Sequence, residues 1–185
     1  MKTIEFDYHL PQERIAQTPV EPRHSSRLLV LDKSTGAMEH RTFWNITDYL
    51  RPNDLLVINQ TRVIPARLAA HKLTGGKAEV LLLKRLDEHT WEALVGGSRM
   101  TVGKQVQIDD GPVCEIIEVL DGARRIVQFP EAIDQQLDSI GEMPLPPYIH
   151  ERLEDPDRYQ TVYAEISGAA AAPTAGLHFT PELMN

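Results

Sequence analysis

Short apolar runs separated by turn residues fill the middle of the chain. Turn residues recur at 74–76, 87–88, 96–98, 109–112 and 121–122. This spacing is typical of a small antiparallel barrel or sandwich. We expect one hairpin between 68–73 and 78–83 and another between 113–120 and 124–129.

The flanking segments mix strand and helix patterns. Residues 28–32 and 37–41 surround a turn at 33–36, which predicts a hairpin. Apolar residues recur at three- and four-residue spacings in 43–50, which predicts a short amphipathic helix. The unbroken apolar run 55–59 is typical of a strand buried on both faces.

Two proline-bearing segments mark the ends of the β-rich region. Ile133, Leu137 and Ile140 share one helical face, and Gly141 is expected to cap that helix. Pro-rich residues 143–147 then predict a stiff linker, with 62–66 as its counterpart. We therefore expect an α/β (mixed) body of residues 1–65 plus 146–185, with an antiparallel β-barrel-like domain of residues 66–145 inserted into it.

The segment 168–180 has almost no side-chain bulk apart from one histidine and its neighbours. A backbone of this kind can approach a ligand closely. A helix is then predicted to start at Thr180, Pro181 and Glu182. Because the chain stops five residues after Thr180, we expect that it is the front part of a longer protein.

Composition narrows the function classes. Cys114 is the only cysteine, so a disulfide framework is excluded and a reducing compartment is favoured. The first residues lack a signal-peptide pattern and no apolar run is long enough for a membrane span, so we expect a cytoplasmic protein with no membrane partner. The sequence contains no glycine-rich nucleotide cradle and no zinc-ligand spacing, so it predicts neither a nucleotide cofactor nor a metal. We expect a monomer.

The charge distribution is uneven although the net charge is −8. Residues 62–85 hold six basic side chains and one acidic one, a balance of +5, whereas 131–165 hold nine acids and two bases, a balance of −7. Binding follows the local field, so the basic strip can neutralise phosphates. Lysines on an exposed hairpin edge would give the same pattern. The candidate RNA contacts are Arg67, Lys72 and Lys77.

Four polar clusters lie beside turns or strand ends and carry the candidate site: the first covers 22–27, the second 59–63, the third 148–150 and 159–163, and the fourth 174–178. In the first cluster, Arg23 and Arg27 lie four residues apart and can together bind a carboxylate or a phosphate. Each cluster also has a structural interpretation: a solvated loop, turn chemistry, half-buried tyrosines and a packed histidine. His178 is the candidate catalytic base, because imidazole titrates near neutrality. The candidate substrate-binding residues are Arg23, Ser26, Arg27, Asn59, Thr61, Arg62, Tyr159, Thr161, Pro173, Thr174, Ala175, Gly176 and Phe179.

Nearly the whole chain resembles one family. The motifs that carry the resemblance are FDYHLPQERIAQTPVEPRHSSRLLVLD, DLLVINQTRVIPARL, TGGKAEVLLLKRL, GEMPLPPYI, RYQTVYA and AAPTAGLHFT. They resemble the first half of the S-adenosylmethionine:tRNA ribosyltransferase-isomerases of the queuosine pathway. The sequence departs from that family at His24 and Gln60, where the family has Asp, and at the pair 169–170, where it has Ser-Val.

The resemblance implies a reaction in which S-adenosylmethionine is a ribosyl donor. The acceptor is 7-aminomethyl-7-deazaguanine in tRNA, the product is epoxyqueuosine-tRNA, and adenine and methionine are released. It implies a base that starts the reaction and backbone donors in the turn 174–176 that stabilise departing adenine. The alternative is a truncated, inactive fragment that at most binds RNA. A methyltransferase-type use is disfavoured, because its glycine-rich motif is missing.

Overall fold

A computed structural model describes the backbone of residues 1–185 and every side chain except that of Ala169. The strands are β1 Arg27–Leu31, β2 Met38–Thr42, β3 Thr61–Val63, β4 Arg67–Lys72, β5 Lys77–Arg85, β6 Thr90–Gly96, β7 Gln105–Ile108, β8 Val113–Val119, β9 Arg124–Gln128, β10 Gly141–Glu142 and β11 Ile166–Ala169. The α-helices are α1 Leu137–Ile140 and α2 Pro181–Met184. The 3₁₀ helices are Thr3–Phe6, Gln12–Arg14, Arg23–Ser25, Phe43–Tyr49, Pro156–Tyr159 and Thr174–His178. Within the described residues, none of the helices has the length and apolar character that crossing a membrane requires.

Strands β4 to β9 form a closed antiparallel barrel. The order is β4-β5-β6-β9-β8-β7, and β7 returns to pair with β4 from Ala70↔Ile108 to Lys72↔Val106. The predicted antiparallel barrel and both of its predicted hairpins are therefore confirmed. Closure pairs the two outermost strands, so the barrel has no open edge for aggregation.

The barrel interior follows from alternation along each strand. In β4, Leu68 and Ala70 are buried while Ala69 and His71 between and beyond them are exposed. Ile133 and Leu137 close the barrel core from α1 and the residues before it. The largest fully buried side chains, all in this core, are Phe129, Leu68, Leu82, Ile108, Ile116, Ile133, Val80, Val106, Val127 and Cys114.

Gly141 joins the end of the barrel to its beginning. It follows α1 as predicted, but its φ of −108° is extended, so it is not the left-handed cap that a glycine at this position usually provides. An added Cβ would lie 2.0 Å from the Pro65 carbonyl oxygen. Gly141 does cap α1 as predicted, since its N–H donates to the Leu137 carbonyl, but close packing against the incoming chain is what requires glycine here.

Outside the barrel, the regular structure consists of short pieces. Strands β1 and β2 form the predicted hairpin, with Arg27 opposite Thr42. The predicted amphipathic helix is a 3₁₀ helix, Phe43–Tyr49, which buries only Phe43. Strands β3 and β11 pair in parallel, and they bring Thr61 opposite Ile166.

The strand predicted at 55–59 is wrong. This run has no regular structure, and Leu55 and Val57 are 87% and 83% exposed. An apolar run becomes a strand only when neighbouring backbone pairs with it, and the β11 partner pairs with β3 from Thr61 onward. The predicted cluster at 59–63 therefore includes the strand itself and does not follow the end of a buried one.

Candidate functional site

A cavity of about 560 Å³ lies between the front and the end of the chain. The 3₁₀ helix Arg23–Ser25 packs near the 3₁₀ helix Thr174–His178 at this cavity. The structure thus brings together members of the first and fourth predicted clusters. The candidate residues that line the cavity are Arg23, Ser26, Arg27, Thr174 and His178.

His178 contacts the hydroxyl of a residue that is far away along the chain. Its Nδ1 lies 2.9 Å from Ser26 Oγ, and its ring centroid lies 5.1 Å from that of Phe43. Burial lowers the pKa of His178, and a hydrogen bond with the backbone of Arg23 opposes this only in part. At neutral pH the ring is therefore neutral, which is the form that accepts a proton.

Arg23 holds the walls of the cavity together. Its guanidinium donates to the carbonyls of Gln160, of Asp157 at 2.7 Å and of Leu177 at 3.4 Å. Burial lowers the pKa of Arg23, and Arg158 nearby acts in the same direction. The guanidinium of Arg23, a predicted ligand contact, therefore hydrogen-bonds to backbone carbonyls and holds the segments around 157–160 and 177 in place.

Gly176 is buried within the 3₁₀ helix Thr174–His178, and two side chains pack close to its Cα. An added Cβ would lie 2.4 Å from Tyr163 Oη and 2.9 Å from Thr161 Cγ2. Phe179 packs edge-on against Phe43, with centroids 5.0 Å apart. Packing inside the protein therefore accounts for the lack of side-chain bulk at Gly176. Thr161 Oγ1 is buried and has no hydrogen-bond partner among the described residues.

A second cavity, of about 640 Å³, adjoins the first. Thr174, Leu177 and Arg158 line both cavities, and Tyr159 lines the second one. Burial raises the pKa of Tyr159, so its hydroxyl stays protonated at neutral pH. The third predicted cluster therefore reaches the site through Tyr159.

The candidates around 59–62 are not among the residues that line the two cavities, and they make local contacts. Asn59 Oδ1 accepts from the backbone N–H of Thr61 at 2.9 Å, which is turn chemistry. Arg62 forms an exposed ion pair with Asp157 at 3.0 Å. Near the other end of the site, Pro173 precedes the 3₁₀ helix Thr174–His178, and Ala175 on its first turn is exposed.

Sequence reasoning did not select Gln160 or Arg158. The buried Gln160 side chain accepts from Val63 N at 2.9 Å and donates to Val63 O at 2.7 Å, so it extends the edge of β3 as a backbone segment would. Arg158 pairs with Glu21, donates to the Val20 carbonyl and lines both cavities. Their position inside the RYQTVYA motif was the only signal, since their partners lie far away in sequence.

The two departures from the family pattern have defined contacts. His24 Nδ1 lies 3.0 Å from Thr180 Oγ1, and its ring lies 4.6 Å from that of Trp44. The Gln60 carbonyl accepts from the backbone N–H groups of Glu165 and Ile166 at 2.8 and 3.1 Å. Gln60 thus contributes backbone bonds that do not depend on its side chain.

The three candidate RNA contacts are divided between the two ends of β4. Arg67 begins β4 and pairs with Glu79 at 3.4 Å. Lys72 ends it, and the exposed Lys77 begins β5 after the turn. These candidates from the basic strip 62–85 therefore lie at two separate places on the barrel.

Comparison with known proteins gives consistent matches. The family model described as "Queuosine biosynthesis protein" matches residues 3–185. Relatives from Clostridioides difficile and Symbiobacterium thermophilum are 55% and 53% identical over the whole chain, and each is named S-adenosylmethionine:tRNA ribosyltransferase-isomerase. The match covers 56% of each of those proteins, so the chain spans about half the length of the curated relatives it matches.

A solved structure is also similar in sequence. The S-adenosylmethionine tRNA ribosyltransferase of Thermotoga maritima is 39% identical, and the match covers 97% of this chain and 52% of that one. The TM-score of the pair is 0.41.

Proposed function

We propose, from the premise that this chain belongs to the queuosine biosynthesis protein family, that it carries the S-adenosylmethionine site of a tRNA ribosyltransferase-isomerase. The observation that carries the proposal is the convergence of Ser26 and Arg27 with Thr174 and His178 on one cavity. These groups come from opposite ends of the chain, and together they offer a neutral imidazole, a cation and hydroxyls.

The proposed reaction transfers and isomerises the ribosyl part of S-adenosylmethionine. The acceptor is tRNA that carries 7-aminomethyl-7-deazaguanine, and the product is epoxyqueuosine-tRNA. Adenine and methionine leave. S-adenosylmethionine is thus a substrate, and the proposal needs no metal or nucleotide cofactor.

His178 is the proposed base, and Ser26 positions it. The sulfonium of S-adenosylmethionine acidifies the adjacent ribose carbon, so a neutral imidazole can take a proton there. The 2.9 Å contact from Ser26 Oγ to Nδ1 fixes the ring, and Nε2 is the proposed proton acceptor. The lowered pKa of His178 keeps the ring in its basic form at neutral pH.

Backbone amides of Thr174 and Ala175 are the proposed donors to the departing adenine. They lie on the first turn of the 3₁₀ helix Thr174–His178, where backbone N–H groups have no carbonyl partner within the helix. The N–H of Gly176 is not proposed as a donor to adenine, because it donates to the Pro173 carbonyl at 2.8 Å.

Arg27 is the proposed partner of the methionine carboxylate. It lines the same cavity as His178. Arg23 is committed to three carbonyls and Arg62 to Asp157, so neither is as well placed for this ion pair.

The setting of the reaction is part of the same proposal. We place it in the cytoplasm, since tRNA is the substrate and the single cysteine, Cys114, is buried and unpaired. We also propose a monomer, with residues 66–145 as a domain inserted into a body of residues 1–65 and 146–185. The barrel strands β4 to β10, which run from Arg67 to Glu142, support that division.

Adenine release tests the proposal. The chain is assayed alone and fused to the remaining part of the Clostridioides difficile relative, with S-adenosylmethionine and tRNA that carries the modified base. We expect release of adenine that depends on this tRNA, and His178→Ala should lower it by about 10²–10⁴-fold.

The matched control is His40→Ala, an exposed histidine on β2. It should leave the rate unchanged. Absence of adenine release from both forms would contradict the proposal and would favour a fragment that only binds RNA. Normal turnover in the His178→Ala fusion would remove His178 as the base.

A further inference from the structure

Two loops at one end of the barrel concentrate positive charge. Strands β4 and β6 both run antiparallel to β5, so their carboxyl ends point the same way and their following loops meet. Residues 72–77 and 96–105 contain no Asp or Glu. Their basic residues are Lys72, Lys77, Arg99 and Lys104. A chain with net charge −8 thus places four cations in two adjoining loops.

A cleft of about 560 Å³ lies between these loops. We call it the barrel-end cleft. Its polar lining consists of Lys72, Thr74, Ser98, Arg99, Lys104 and Gln105. Such a set offers hydrogen-bond donors as well as charge, which suits an anionic group with several oxygens.

The charges in the cleft are not neutralised by the contacts they make. Lys72 Nζ donates to Ser98 O at 2.7 Å and to Ser98 Oγ at 3.0 Å, and both acceptors are neutral. Among the described residues, none of the ion pairs involves Lys72, Lys77, Arg99 or Lys104.

Nearby carboxylates are engaged elsewhere. Glu79 pairs with Arg67, and Asp109 pairs with His71 at 2.8 Å. Glu115 accepts from the neutral lining residue Gln105 at 3.3 Å and pairs with none of the four cations. The cleft therefore keeps a net positive field.

The loop that carries Arg99 has an unusual backbone. Arg99 has a φ of +59°, a left-handed conformation that is uncommon for a residue with a side chain. Strained positions of this kind cluster at ligand-binding sites. Here the conformation belongs to a residue whose side chain lines the cleft.

We propose that the barrel-end cleft binds backbone phosphates of RNA. The inference rests on the proposed function, in which the RNA is the substrate tRNA. Lysine and arginine contacts to phosphate position a nucleic acid without reading its sequence. A concave cleft admits a phosphate ridge, whereas a flat bilayer surface would not enter it.

The cleft is separate from the cavity at His178. It shares no lining residue with that cavity or with the second cavity beside it. The tRNA would therefore contact the protein at two places. One holds the modified base, and the other holds the backbone of a helical arm.

The test measures tRNA binding by fluorescence anisotropy at several KCl concentrations. The cleft variant is Lys77→Gln, Arg99→Gln, Lys104→Gln in the full chain, which changes two lining cations and the adjoining Lys77. An unmodified tRNA transcript is the probe. All three side chains are exposed. We expect at least about tenfold weaker binding and a plot of log K against log[KCl] that is shallower by about 2–3.

The control removes the same charge elsewhere. Lys33→Gln, Arg51→Gln, Lys84→Gln changes three exposed cations outside the cleft, and binding should weaken by less than about threefold. Equal weakening in both triple variants would overturn the proposal, and so would unchanged binding in the cleft variant. If the cleft variant unfolds at a lower temperature, Lys104→Gln alone should still lower the slope by about 1.

The two proposals fail separately. Adenine release with no salt-dependent tRNA binding overturns the cleft and leaves the reaction standing. Cleft-dependent binding without adenine release removes the reaction and keeps the phosphate site. Binding of the wild type to phosphatidylserine vesicles in place of tRNA, lost in the cleft variant, would overturn the RNA assignment in favour of a membrane surface.

Discussion

The barrel keeps its large apolar side chains inside, whereas the segments around the cavity leave many of theirs in solvent. Val80, Leu82 and Ile116 in the barrel have no exposed surface, but Leu55 and Ile166 outside it are 87% and 64% exposed. Barrel strands pair mostly with their sequence neighbours. The cavity instead depends on contacts between residues more than one hundred positions apart, such as Ser26 and His178. Local pairing thus produces a core, and distant pairing produces the candidate site.

The largest effect should come from the barrel core. Leu82→Ala deletes a fully buried side chain, and we expect it to lower the free energy of unfolding by about 2–5 kcal/mol. Val57→Ala is the control outside the barrel, where the side chain is 83% exposed and the change should stay within about 0.5 kcal/mol. Urea denaturation measures both. Equal losses of unfolding free energy at the two positions would contradict the contrast between the barrel core and the exposed segments.

The next largest effect should come from the 3₁₀ helix Thr174–His178, which carries part of the cavity lining. Gly176→Ala places a methyl group 2.4 Å from Tyr163 Oη and 2.9 Å from Thr161 Cγ2, and overpacking of this kind costs about 1–3 kcal/mol. Adding Tyr163→Phe removes the nearer atom and should restore part of the loss. Gly76→Ala is the matched control, since its methyl group would meet Lys72 Cδ at an ordinary 3.5 Å. A Gly176→Ala protein as stable as the wild type would show that the 174–178 segment is not packed as described.

The smallest effect should appear as a pH dependence at His178. Its pKa in the folded protein is lowered from 6.5 by burial, so the unfolded chain binds the proton more readily. Stability should therefore fall as the pH drops through about 6.5. Comparing wild type with His178→Gln between pH 8 and 5 isolates this residue, because the other histidines are common to both. A difference in stability between the two proteins that grows in favour of the wild type at low pH would contradict the buried position.

The sequence predicts the barrel better than the cavity, because the barrel hairpins depend on local pairing and the cavity depends on distant contacts. Alternation in β4 and the Gly75-Gly76 turn identify that hairpin without reference to other parts of the chain. The run 55–59 looks equally apolar, but its state depends on partners that its own letters do not reveal.

The candidate site was predicted as a set of residue types more than as a geometry. Ser26, Arg27, Thr174 and His178 were selected, and they meet at one cavity. The hydrogen bonds of Gln160 to Val63 and the carbonyl contacts of Arg23 needed the fold, because neither side chain carries a signal of its partner.

A crystal structure of the protein with S-adenosylmethionine would show whether the ligand binds at the cavity that carries His178. We expect density for the ligand in the cavity between Ser26 and His178, with its carboxylate near Arg27. Density in the larger cavity of about 890 Å³ beside Arg67 and His150, with the first cavity empty, would contradict this expectation.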